Sequence, residues 1–169
     1  MMRKYILLML ILIVAFTNIN AQFKATYLGY ITEEGQDFYV ADVDGKTAQE
    51  LFSSVNAFII KNFKNPDAVA SKVDGEMINL HGIFPDAIPC KKWLGTHYAD
   101  VDVSLVMYFK DGRIRFDIPI INSMTCYSYT PSRVPTKWYF SSFFKKDDKV
   151  KNKNAVEALN KLSNDFITE

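Results

Sequence analysis

The feature that most constrains this chain is an alternating pattern on both sides of an Asp111-Gly112 dipeptide, over residues 101–120. Apolar and polar side chains alternate before and after it, which is typical of two strands joined by a two-residue β-turn. Such a turn fixes the register of the hairpin. It predicts apolar cross-strand pairs on one face: Phe109–Ile114, Met107–Phe116, Leu105–Ile118 and Val103–Ile120.

The opposite face of this hairpin is predicted to be mixed in character. The same register sets Tyr108 beside Arg115. It also sets Val106 beside Asp117. We therefore expect one face of the sheet to be buried and the other to be at least partly solvated.

Two segments show the three- and four-residue apolar spacing of amphipathic helices. The first begins at Thr47 with Glu50 three positions later, a capping box, and ends before Pro66. The second has Asn154 as its predicted cap and Glu157 as the capping partner. The apolar stripes are Ala48, Leu51, Phe52, Val55, Phe58, Ile59 and Phe63 in the first, and Ala155, Ala158, Leu159, Leu162 and Phe166 in the second.

Further strands are predicted from β-branched and aromatic runs bounded by glycine. Residues 69–74 and 77–84 read as a pair joined across Gly75, residues 38–43 as a strand before the first helix, and residues 27–31 as an edge strand. Segments 85–100 and 123–151 are rich in proline and aromatic residues and are predicted to be irregular. The prediction is an α+β fold, an antiparallel sheet with two helices on one face.

Three sequence stretches resemble a known family. They are FYVADVDGKTAQELF from Phe38, FKDGRIRF from Phe109, and the AQ pair at Ala21-Gln22. They are similar to secreted Bacteroidetes proteins grouped as a domain of unknown function with a TATA-binding-protein-like (TBP-like) fold. The resemblance covers roughly residues 37–168 and implies the order strand, helix, four strands, helix. It supplies no functional residues.

The first 21 residues have the pattern of a secretory signal peptide. Arg3 and Lys4 precede an apolar run from Ile6 to Phe16, and polar residues follow. The run is shorter than the about 20 residues that a membrane-spanning helix requires. We expect cleavage between Ala21 and Gln22, export to the periplasm or the cell exterior, and one soluble domain over residues 22–169. An uncleaved anchor is the alternative.

Charge limits the classes of partner. Loss of Arg3 and Lys4 with the signal leaves 18 basic against 19 acidic residues, a net charge of −1. Binding to nucleic acid or to an anionic membrane requires clustered lysine and arginine, so neither partner is expected.

The two cysteines, Cys90 and Cys126, would both enter a compartment where disulfides persist. They form either one bridge across the central hairpin or two unpaired thiols packed as small apolar groups. Neither lies in a zinc-binding motif, and no cofactor is expected.

Candidate catalytic residues are few and scattered. The Asp42–Gly45 stretch resembles part of a calcium loop but is better explained as a turn between strand and helix. Asp100 and Asp102 share one strand face, where such residues are usually solvated. No catalytic residues are therefore predicted.

The expected function is that of a non-enzymatic binding or accessory module of the cell envelope. The candidate binding residues are Tyr108 and Arg115 on the mixed sheet face and Trp93, Trp138 and Tyr139 in the aromatic segments. Phe140, Phe143 and Phe144 could serve as further anchors, or the aromatic residues could simply cover the second face of the sheet. Two alternatives are a carrier of a small apolar ligand and, less favoured, a hydrolase using His97, Asp100 and Cys126.

Overall fold

The computed structural model describes residues 23–92, 95–127 and 134–168. Within them the fold is α+β with a mostly antiparallel sheet, as the sequence predicts. The strands are β1 (Phe23–Ala25), β2 (Tyr30–Thr32), β3 (Phe38–Asp42), β4 (Ala70–Val73), β5 (Met77–Lys92), β6 (Gly95–Lys110), β7 (Arg113–Asp117), β8 (Ile120–Tyr127) and β9 (Pro135–Trp138). The helices are α1 (Ala48–Asn62), α2 (Pro66–Val69), α3 (Phe140–Phe143) and α4 (Lys153–Thr168).

Strand β6 is the centre of the main sheet. It pairs along most of its length with β5 on one side. On the other side it pairs first with β8 and then with β7, which lie end to end. The edges are completed by β3 on β7, by β9 on β8 and by β4 on β5. Strands β1 and β2 form a separate two-stranded ribbon, so the predicted edge strand at residues 27–31 is displaced to Tyr30–Thr32.

Burial alternates strictly along β6. Ala99, Val101, Val103, Leu105, Met107 and Phe109 are buried, while the residues between them are intermediate or exposed. The two-sided strand predicted from the alternation is confirmed. We call the buried side the inner face and the opposite side the outer face.

Both long helices lie on the inner face. The Phe52 ring of α1 meets the Phe109 ring of β6 edge to face at 5.5 Å. Ile167 of α4 and Leu51 of α1 line one cavity together with Phe116 of β7. The sheet therefore buries one face under helices, which is the expected way to bury its apolar side.

The capping box of α1 is confirmed. Thr47 Oγ1 accepts a hydrogen bond from the Glu50 amide at 3.2 Å, and the Glu50 carboxylate accepts one from the Thr47 amide at 2.8 Å. The hydrogen bonds that the Glu50 carboxylate accepts from the Thr47 amide and hydroxyl, together with the charge of Lys46, lower the pKa of Glu50. The Asp42–Gly45 stretch forms the predicted turn into this helix, with Gly45 at a φ of 75°.

The predicted cap of the second long helix is wrong by two residues. The helix begins at Lys153, and the side chain of Asn152 accepts the hydrogen bond from the Ala155 amide at 3.3 Å. Glu157 instead approaches Lys153 of the first turn at 3.5 Å. Asn152 also donates to the Pro89 carbonyl, so its position depends on a contact distant in the sequence.

The predicted hairpin register is correct near the turn and wrong beyond it. Phe109 pairs with Ile114 and Met107 with Phe116, and Tyr108 pairs with Arg115. The β6–β7 ladder ends at Met107–Phe116, so the predicted pair Val106–Asp117 is not among its pairs. The predicted pairs Leu105–Ile118 and Val103–Ile120 are not formed, because β7 ends at Asp117 and Pro119 cannot donate to the ladder. Strand β8 then resumes one residue out of step, so Val103 pairs with Ile121.

The two segments predicted to be irregular contain much regular structure. Residues 85–92 and 95–100 extend the β5–β6 hairpin past a bulge between Phe84 and Ile88. Asp86 in this bulge has a φ of 52°, and its amide donates to the Asp100 carboxylate at 2.9 Å. Beyond Leu80, β5 has no partner on its other side within the described residues, so prolines 85 and 89 are tolerated as in an edge strand.

No disulfide bond joins Cys90 and Cys126. Of the two predicted alternatives, the bridge is therefore wrong. Cys90 on β5 lies opposite His97 of β6, and Cys126 on β8 lies opposite Ala99 of β6. Strand β6 thus runs between the two thiols. Two strand spacings amount to about 9.6 Å, beyond the roughly 7 Å limit for the Cα atoms of a disulfide. Both thiols pack in the core.

Candidate functional site

The outer face is the side of the main sheet opposite the two long helices. Its central strand presents Tyr98, Asp100, Asp102, Ser104, Val106, Tyr108 and Lys110, because these alternate with the buried positions of β6. Tyr108, Arg115 and the other predicted residues of the mixed face therefore lie where the sequence places them.

Arg115 is held in a fixed position on this face. Its guanidinium carbon lies 4.3 Å from the ring centre of Phe38 on β3 and 5.5 Å from that of Tyr108 on β6. Its Nη2 and Nε atoms lie 2.8 and 2.9 Å from Asp117 Oδ1. Two aromatic rings and a carboxylate thus orient a cation that is still 46% exposed.

A second group of polar side chains lies further along the same face. Asp102 Oδ1 is 2.6 Å from His81 Nε2 and accepts a hydrogen bond from Asn122 Nδ2 at 3.0 Å. Asn122 also donates to Ser104 Oγ at 2.9 Å. We call these four residues the polar network.

The polar network depends on the strand geometry. Asp102 and Ser104 point outward from β6, and His81 lies opposite Ser104 on β5. Asn122 sits at the register shift between β6 and β8, where an extra residue redirects a side chain. The network presents oriented donors and acceptors on an open surface. The pattern of β5 could have indicated His81, whereas the bulge that supplies Asn122 has no local sequence signature.

Large apolar side chains are exposed around these polar groups. They are Val73, Ile83, Tyr98, Tyr108 and Ile120, with exposed fractions from 39% to 68%. Val73 pairs with Met77, Met77 with Tyr108 and Tyr108 with Arg115. An apolar row therefore crosses three strands and ends at Arg115 on the fourth.

The aromatic residues predicted as anchors divide into two sets. Phe143 and Phe144 are buried in the core, and their role is packing. Trp138 and Tyr139 line a cleft of about 350 Å³ with Tyr27, Leu28 and Phe140, which we call the aromatic cleft. Trp138 stacks on Phe143 at 5.4 Å, and Tyr139 is 62% exposed. Trp93 lies outside the described residues.

A groove of about 600 Å³ lies at the ends of the helices. It is lined by Phe58 and Phe63 of the α1 region, Phe84 of β5 and Leu162 of α4, with Lys64 and Asp165 among its polar residues. Its volume is within the usual range of small-molecule sites.

The residues considered for a hydrolase do not assemble. His97 and Cys126 are buried on the inner face. Asp100 lies on the outer face, where its carboxylate accepts a hydrogen bond from the Asp86 amide. The intervening sheet separates the carboxylate from the other two side chains. In the described part of the chain, no group of three or more histidine, cysteine or acidic residues could hold a metal ion.

Comparison with known proteins gives no relative: no protein-family model, curated protein or solved structure matches the chain. None of the helices in the described ranges is long and apolar enough to cross a bilayer.

Proposed function

We propose that this chain is an exported, non-enzymatic binding module of the cell envelope that recognises a protein partner through its outer face. The observation that carries the proposal is the fixed Arg115 at the end of an exposed apolar row. Binding hot spots typically combine arginine and tyrosine with apolar neighbours, and a rigid side chain loses less entropy on binding.

The charge and shape of the surface favour a protein over a small ligand. The outer face carries both signs, with Asp102 and Asp117 as acidic residues and Lys110 and Arg115 as basic ones. Strands of 16 residues give this face a length of about 50 Å. Surfaces of this extent match standard protein interfaces.

The test compares partners recovered from the envelope of the producing cells. Wild-type protein, the double variant Tyr108→Ala/Arg115→Glu and the helix-surface control Lys61→Glu are immobilised, and bound proteins are quantified by mass spectrometry. We expect a partner recovered with wild type and control to fall at least tenfold with the double variant. Equal recovery with all three proteins would exclude the outer face as the binding surface.

A carrier of a small apolar ligand is the second candidate function. The groove lined by Phe58, Phe63 and Phe84 supports it. Native mass spectrometry of the same purified protein discriminates the two candidates, because a carrier retains a small molecule that organic extraction removes.

Export is proposed from the signal pattern, and residues 1–22 lie outside the described ranges. The support is the order of Arg3 and Lys4, the apolar run from Ile6 to Phe16 and the polar residues that follow it. We expect the exported protein to have the intact mass of residues 22–169, and Ala21→Arg to block processing. A mature protein that keeps its first 21 residues would contradict the proposal.

We also infer that the core belongs to the TBP-like class. A helix after β3, a run of antiparallel strands, a final helix and the location of both long helices on the inner face support this. Six strands lie between the two long helices, where the predicted order has four, so β8 and β9, like the ribbon β1–β2, would be additions to the pattern. A crystal structure with the long helices on opposite faces of the sheet would contradict the assignment.

A further inference from the structure

Part of the edge of β8 is open next to the aromatic cleft. One edge of β8 pairs with β6 along residues 120–126, and β9 covers the other edge only at residues 124–127. Among the described residues, no strand pairs with that second edge at Ile120, Ile121, Asn122 or Ser123. We call these four residues the open edge.

The position beside the open edge lies in line with existing strands. Strand β9 occupies this position at one end, and the Asp37 carbonyl accepts a hydrogen bond from the Ile118 amide at the other. The gap between them spans four residues of β8, about 13 Å. An unpaired edge presents backbone donors and acceptors that another extended chain can pair with.

The aromatic cleft adjoins this gap and determines the side chains that fit. Ile121, Asn122 and Ser123 of the open edge line the cleft together with Trp138 and Tyr139. Leu28, also in the lining, is 91% exposed. A strand laid along the open edge would direct alternate side chains towards these apolar walls.

The charge of the cleft narrows the partner further. In the part of the chain that the structure describes, Lys137 is the only charged residue that lines the cleft. In a bound strand, an acidic side chain next to the apolar residue that enters the cleft would therefore be favoured over a basic one.

We propose that the open edge and the aromatic cleft bind an extended acidic peptide segment of a partner protein, which adds to the sheet as a strand beside β8. Main-chain hydrogen bonds to the open edge supply affinity, an apolar side chain fills the cleft, and an acidic neighbour meets Lys137. This site does not include Tyr108 or Arg115, although Ile120 and Asn122 of the open edge also lie on the outer face.

The probe is a fluorescein-labelled peptide of sequence Thr-Val-Glu-Phe-Glu-Val-Thr, measured by fluorescence anisotropy. Two control peptides replace both glutamates with lysines or carry N-methyl groups on alternate amides. We expect the acidic peptide to bind at least tenfold more tightly than either control. Hydrogen exchange should slow at residues 120–123 when it binds.

Protein variants test the same contacts from the other side. Lys137→Glu is expected to weaken binding of the acidic peptide at least tenfold and to strengthen binding of the lysine peptide. Tyr139→Ala, at an exposed position, should weaken the binding of both peptides. Circular dichroism verifies that each variant is folded. Arg115→Glu is the matched control and should leave peptide binding unchanged, so that failure of the outer-face proposal is distinguishable from failure of this one.

Three results would overturn the proposal. They are equal binding of the N-methylated peptide, an unchanged preference in Lys137→Glu, and no binding of the acidic peptide at millimolar concentration. Displacement of a bound peptide by chitohexaose, with protection of residues 120–123 lost, would assign the cleft to a glycan instead.

Discussion

Phe109→Ala is expected to lower the free energy of unfolding by about 3–5 kcal/mol, the usual cost of truncating a buried phenylalanine. The Phe109 side chain is 5% exposed, packs edge to face on Phe52 of α1 and lies across from Ile114 of β7. Its removal leaves a cavity where the first helix meets the central strand. Urea denaturation followed by circular dichroism measures the change.

The matched control is Tyr108→Ala at the preceding position of the same strand. Tyr108 points to the outer face, is 39% exposed and contacts Arg115. Its truncation should cost only about 0.5–1 kcal/mol, the range of an exposed cation–π contact. Equal losses for the two variants would show that β6 does not have one buried and one solvated side.

Asn164→Ala should cost about 2–4 kcal/mol, because it leaves two buried backbone groups without their partner. Asn164 Oδ1 accepts a hydrogen bond from the Phe23 amide at 3.0 Å, and its Nδ2 donates to the Phe23 carbonyl at 2.9 Å. Asn160, one turn earlier, accepts from the Ala25 amide at 2.7 Å. Two asparagines of α4 thus bind the edge of β1.

The effect of Asn164→Ala should also be local. Amide exchange at Phe23 and Ala25 is expected to accelerate more than exchange in β6, since β1 loses its attachment first. Asn154→Ala, at an exposed position in the first turn of the same helix, controls for helix propensity. Unchanged exchange at Phe23 would show that the side chain of Asn164 does not hold β1.

Local patterns account for the parts of the fold that the sequence predicts correctly. The Asp111-Gly112 turn, the alternation of β6 and the Thr47–Glu50 box are determined by neighbours within a few residues. Tyr108 and Arg115 were placed side by side for the same reason.

Non-local contacts account for the errors. Strand β6 changes its partner from β8 to β7 because of Pro119 and a bulge. The helix cap at Asn152 is fixed partly by its hydrogen bond to the Pro89 carbonyl, 63 residues away. The aromatic contact of Arg115 with Phe38 requires β3 to pair with β7, which periodicity does not specify. Periodicity also does not specify that His81 and Asn122 both contact Asp102, because the three residues lie on different strands.

The attachment of β1 to α4 has a consequence for biosynthesis. Phe23 and Asn164 are 141 positions apart, so the strand made near the beginning waits for almost the last turn of helix. At roughly 5–20 residues per second, synthesis of the intervening chain takes about 7 to 28 seconds. During this time Phe23 and Tyr30 are not yet buried against the last helix. We therefore expect chaperones that bind unfolded chains to bind the β1–β2 segment as it is made.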